Sequence, residues 1–205
     1  MRRTMKWLTE CVIGYDLCPF AIAALTTTRC VSSEATATED ILLVVEREAR
    51  NLVEGYQAFN CSSCEAQAAV PTTTLLVLPR GSHVEDFEEF MSIVGLSQEL
   101  IEQSDFANEL QLVPFHPRAV FDDNVNLSAG SDAFRRSDPA DFTARSPYPV
   151  IHFLLEREVS SALDGFRRLG KSTSKHIIEK NKRTLRAMGN ESLHQIFVED
   201  IFSGV

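Results

Sequence analysis

Apolar positions along this chain alternate between a helical period and a strand period. Trp7, Leu8, Cys11, Val12 and Tyr15 recur at the spacing that shares one helix face, and Gly14 with Pro19 brings that helix to an end. Residues 27–33 read as a short strand. Thr36 and Glu39 form a capping box for a helix over about 38–56, with Leu42, Val45, Ala49, Leu52 and Tyr56 as its inward stripe. Residues 57–71 lack periodicity and read as a loop. The β-branched run 72–78, closed by Pro79 and Gly81, predicts a strand whose apolar half is buried on both faces. Ser82 and Glu85 suggest a second capping box, opening a helix with Phe87, Phe90, Met91 and Val94 on one side.

Two further strands follow, over 110–115 and 150–155, separated by a polar segment over 122–144 that reads as a long surface loop. A helix carrying Val159, Leu163, Phe166 and Leu169 comes next and stops at Gly170; two shorter helices follow, parted by Gly189-Asn190. Strands interleaved with helices, without internal repeat or linker, predict one α/β domain: a small mixed sheet packed against helices over 1–170, with a helical C-terminal extension of the same domain over 171–205.

Composition places the chain among ordinary soluble proteins: 205 residues, 44% hydrophobic and 24% charged. A formal net charge of −9 disfavours nucleic acid as a partner, because that binding rests on cations that displace phosphate counterions. The local basic run from Arg167 to Arg186 reads as a solvated helix face. No apolar run approaches the roughly 18 residues a membrane span needs, and the N-terminus lacks a secretory pattern, so no membrane partner is expected. Five cysteines, at 11, 18, 30, 61 and 64, form no disulfide framework, which points to an intracellular compartment, cytoplasmic or organellar. Cys61-Ser62-Ser63-Cys64 has redox spacing but no second pair, and reads as incidental.

Chemistry concentrates where proline controls the backbone. Arg145-Ser146-Pro147-Tyr148-Pro149 leads directly into a strand bearing His152; Phe115-His116-Pro117 ends another strand; Leu17-Cys18-Pro19-Phe20 follows the first helix. With Trp7-Leu8, Val12-Ile13-Gly14 and Thr73-Thr74-Leu75-Leu76-Val77, these motifs resemble the DUF1415 family in order and spacing over roughly residues 7–161. That family has no known function. The resemblance implies that Cys18, His116, Arg145 and His152 hold the motif positions that matter most. The chain departs from the pattern at Ala144, where the family carries Asn, at Ala119, where it carries Tyr, and at Leu155-Glu156-Arg157, where its Arg follows two leucines directly.

Cys18, His116 and His152 supply the ligand types of a zinc site with one open position, and equally a cysteine nucleophile with a histidine base. Their alternative reading is a buried thiol and two satisfied imidazoles. Arg145 offers a planar fork for an anion, or else an ion pair with Asp138 or Asp141, and Tyr148 offers a hydroxyl or a packing plug. His83, His176 and His194 read as solvent-facing. No phosphate loop, dinucleotide fingerprint, His-Glu-x-x-His or nucleophile elbow is present. The expectation is a small enzyme acting on an anionic metabolite through Cys18, His116, His152, Arg145 and Tyr148, with a divalent metal such as zinc as one form of that site. The alternative is a binding or regulatory module using the same pocket.

Overall fold

The computed structural model describes residues 1–61, 70–81, 83–120, 138–168 and 174–197. Its centre is a mixed sheet of four strands in the order β1-β2-β4-β3, comprising β1 (Thr28–Ser32), β2 (Thr73–Val77), β3 (Leu110–Phe115) and β4 (Val150–Leu155). β1 runs parallel to β2, as a strand must when a helix connects the pair, and β4 is antiparallel to both β2 and β3. Helices cover both faces. α3 (Thr38–Cys61) and α4 (Phe87–Glu102) pack on one side, where Val45, Leu52, Phe90 and Val94 meet Leu76, Ile151 and Phe153. On the other side α1 (Arg2–Trp7) and the helix over Ser174–His194 bring Trp7, Leu185 and Leu193 onto Leu75, Val77 and Val150.

This double cover explains the strand sequences. Every residue of β2 is buried, so its Leu75-Leu76-Val77 half is apolar without alternation. β3 lies at the sheet edge, which is where Pro114 is tolerated because its missing N–H need not serve a neighbour. In β4, Ile151, Phe153 and Leu155 face α3 and α4, whereas Val150 and His152 face the other layer.

Several expectations shift. α3 continues to Cys61, and its inward stripe is rotated so that Ile41, Glu48 and Val53 are buried with Val45, Ala49 and Leu52. α4 begins at Asp86, whose carboxylate accepts from the amides of Glu88 and Glu89; residues 83–85 form a 3₁₀ turn, and Ser82 lies outside the described residues. Met91 is 40% exposed while Ile93 is buried. Residues 139–144, expected within a surface loop, form a 3₁₀ helix capped by Asp138 with Phe142 buried in the core. Residues 62–69 and 121–137 of the two expected loops, with Cys64, Leu169 and Gly170, lie outside the described residues.

α5 (Glu156–Arg168) follows β4 without a connecting residue, and its Phe166 packs edge-on with Phe20, the residue before α2 (Ala21–Ala24). α6 (Ser174–His194) bends at Gly189, where φ of 77° demands glycine, which is where two helices were expected to part. Its contribution of Leu185 and Leu193, with Phe197 beyond it, makes the C-terminal segment part of the core.

The first helix widens after Trp7 into a π-helical turn, Leu8–Ile13, with Gly14 N–H donating to Thr9 O at 3.1 Å and Leu17 N–H to Val12 O at 2.9 Å. A Cβ on Gly14 would sit 2.2 Å from the Glu10 carbonyl oxygen, a backbone atom that cannot swing away. Gly14→Ala is therefore expected to destabilise the protein by about 2 kcal/mol or more despite alanine's better helix propensity, read as a lowered urea midpoint.

Candidate functional site

His116 is 1% exposed and both ring nitrogens are engaged. Nδ1 accepts the Arg118 amide at 3.0 Å, so the proton resides on Nε2, which donates to Val84 O at 3.0 Å. The ring stacks on Phe90, 5.1 Å between centroids, and tilts against Phe87 at 5.4 Å. Burial among these aromatics holds its pKa down at about 4. The imidazole is thus a neutral peg that fixes the turn 116–119 against α4.

Arg145 grips the other end of that turn. Its Nε donates to Ala119 O at 3.1 Å, its guanidinium lies over the Phe142 ring at 4.5 Å, and Asp141 stands 3.9 Å away, one turn earlier. At 1% exposure it is closed to solutes, and burial draws its pKa down to about 10, against the pull of Asp141. The ion-pair reading with Asp141 is the one the structure shows; Asp138 pairs instead with Arg186. The backbone joins the two motifs directly, His116 N–H donating to Ala144 O at 3.0 Å.

His152 lies on the opposite face of the sheet. It packs beside Phe115, 6.2 Å between centroids, and Phe115 in turn packs on Trp7. Its Nε2 bonds to Thr73 Oγ1, whose single proton is already donated to Phe153 O at 2.8 Å; Nε2 therefore carries the imidazole proton and Nδ1 is the acceptor. Burial lowers its pKa to about 4. Cys18 stands at the turn into α2, with the amides of Phe20 and Ala21 directed at its sulfur, and desolvation nonetheless raises its pKa.

The expectation of one pocket shared by Cys18, His116 and His152 is therefore corrected. A sheet residue one position past a strand-end phenylalanine projects to the face opposite that phenylalanine, and His152 sits on the phenylalanine's own side. Among the described residues, which include all three, no group of three His, Cys, Asp or Glu side chains is placed to hold a metal ion. Arg145, expected to meet an anion, is buried scaffold.

The same motifs nevertheless converge on the surface. Pro117 and Arg118 from one loop, Pro149 from another, and Arg80 and Glu85 from the β2–α4 connection line a cleft of about 280 Å³. Arg80 donates to Pro147 O at 3.0 Å and lies over the Tyr148 ring at 4.8 Å, so Tyr148 acts as the platform that orients a cation. Arg118 donates to Glu85 O and stands 3.9 Å from Asp86. Sequence reasoning passed over both arginines. The signal available was position: each directly follows a proline, Pro79 or Pro117, at the end of a strand.

This is an α/β/α sandwich with a polar cleft at one end of its sheet. The model of the family described as "Protein of unknown function (DUF1415)" matches residues 1–195, and the chain belongs to that family. Comparison with curated proteins and with solved structures found no match.

The buried imidazole of His116 has a consequence for pH. An unfolded histidine binds its proton near pH 6.5, whereas folded His116 does so only near 4. Between these values the unfolded state holds the extra proton, so stability falls as pH drops from about 6.5 towards 4, by up to roughly 3 kcal/mol from this residue. Urea midpoints across that window should show the slope, and His116→Gln should reduce it by about half, because His152, also held near 4, keeps its own share. Cys18, its thiol pKa raised by burial, should react with iodoacetamide at pH 8 more slowly in the native protein than in urea; faster native alkylation would restore it as a nucleophile.

Proposed function

We propose that this DUF1415 protein is a binding module for a small anionic molecule, held at the cleft between Arg80 and Arg118. The carrying observation is that two arginines from separate loops line one cleft, each oriented by a backbone carbonyl, Pro147 O for Arg80 and Glu85 O for Arg118. Pre-oriented guanidinium groups lose little rotamer freedom on meeting a carboxylate or phosphate, which is where such binding gains its affinity. In a chain of net charge −9, a bulk field does not gather anions, so selectivity rests on this local pair. Glu85 on the same rim favours a ligand that presents a hydrogen-bond donor beside its negative group.

The enzymatic reading that combines Cys18, His116 and His152 in one pocket loses support because the two histidines lie on opposite faces of the sheet. His116 and Arg145 serve the binding reading as positioning residues, because both fix the turn that carries Arg118.

Titration with inorganic phosphate and with malate, followed by calorimetry at low salt, tests the proposal. Arg80→Ala and Arg118→Ala are each expected to weaken binding about tenfold, with the double variant losing it, while both single variants melt within a few degrees of wild type because the two side chains are exposed. Binding of both probes undiminished in the double variant, or no binding to wild type, overturns the reading.

A further inference from the structure

A second cavity, of about 240 Å³, lies at the other edge of the sheet between α3 and the β1–β2 pair, and shares no lining residue with the arginine cleft. Arg29, Asn51, Gly55, Pro71 and Thr74 line it. Register places Arg29 directly beside Thr74, so both project to the α3 face. Three features of this cavity have no account within the fold itself.

The first is Thr74. It is fully buried and its Oγ1 has no hydrogen-bond partner among the described residues, an omission that costs about 1–3 kcal/mol in a native core. The second is charge. Glu48 is 2% exposed and pairs with Arg29 at 2.5 Å, which holds the Arg29 guanidinium in place at the cavity wall, while Arg47, 60% exposed, meets the same carboxylate at 3.2 Å from the solvent side. Among the described residues Arg29 uses one nitrogen for that pair, and the other N–H groups of its fork have no partner there. The third is Gly55, in the interior of a 24-residue helix, where glycine is about 1 kcal/mol worse than alanine. A Cβ there would meet nothing within 4 Å, so packing does not explain the glycine; a methyl group would project into the cavity.

We infer that this cavity is a binding site for a small hydroxy- or keto-carboxylate, with the carboxylate on the Arg29 fork and the ligand's oxygen function between Asn51 and Thr74 Oγ1. Asn51 and Gly55 are four residues apart on one face of α3, and both line the cavity. The ligand's carboxylate meets the Arg29 guanidinium that Glu48 holds in place, and its oxygen supplies the partner that Thr74 lacks. The volume lies just below the roughly 300 Å³ lower bound of pockets for drug-sized ligands, which suits a small occupant.

Two variants separate binding from folding because both are expected to be at least as stable as wild type. Gly55→Ala improves helix propensity and meets no clash; Thr74→Val replaces an unpaired buried hydroxyl with a methyl of the same shape. Lactate, pyruvate and glycerate would be titrated into the ¹⁵N-labelled full chain, following the amides of Gly55 and Thr74. Expected are saturable shifts with at least one of the three, affinity lowered about tenfold in each variant at equal or higher melting temperature, and no change in Arg80→Ala. No saturable shift with any of the three acids, or undiminished affinity in Gly55→Ala, overturns the site.

Discussion

The turn at residues 116–119 is held at both ends by buried side chains, and the exposed chemistry of the molecule depends on that restraint. His116 accepts the Arg118 amide and donates to Val84 O; Arg145 donates to Ala119 O. Each bond is modest in water, but in a site closed to solvent an unmade one leaves a buried polar group exposed to no partner, so the arrangement is strongly favoured over alternatives. Through the bond from His116 N–H to Ala144 O, the same restraint ties the end of β3 to the start of β4's approach.

A separation of roles follows from this. The imidazole and guanidinium that look most reactive in the sequence are those the fold buries, while the cations open to solutes, Arg80 and Arg118, are oriented by them or by Tyr148. Burial also keeps His116 neutral, which preserves its acceptor nitrogen for the Arg118 amide; a protonated ring would have two donors and no acceptor there. The departure at Ala119 is consistent with this role, since its small side chain is 2% exposed and its carbonyl, a group any residue supplies, is what Arg145 uses.

The strands were legible because short β-branched and apolar runs leave little else, and all four stand where those runs are. Helix faces were less legible. The stripe of α3 kept Val45, Ala49 and Leu52 but took Ile41 in place of Leu42, since the two are adjacent and only packing against the sheet selects between them. Glu48 could not be anticipated inside, because its burial rests on Arg29, which is distant in sequence and neighbouring only after β1 and α3 pack. The helix at 139–144 was hidden for a similar reason: a polar stretch with one phenylalanine reads as loop until Phe142 has Phe197 to meet.

Sequence alone determined the alternation of helix and strand, the mixed α/β class, the family, and the proline-bracketed segments as the place to look. Those properties arise from local periodicity and backbone restriction, which act over a few residues. Tertiary structure decided which side of the sheet each motif residue faces. Position along a strand alternates faces with every residue, so whether His116 and His152 meet depends on the registers of β3 and β4 and on where β3 ends. That one-residue parity set the two histidines apart, while packing over Phe142 and beside Asp141 buried Arg145.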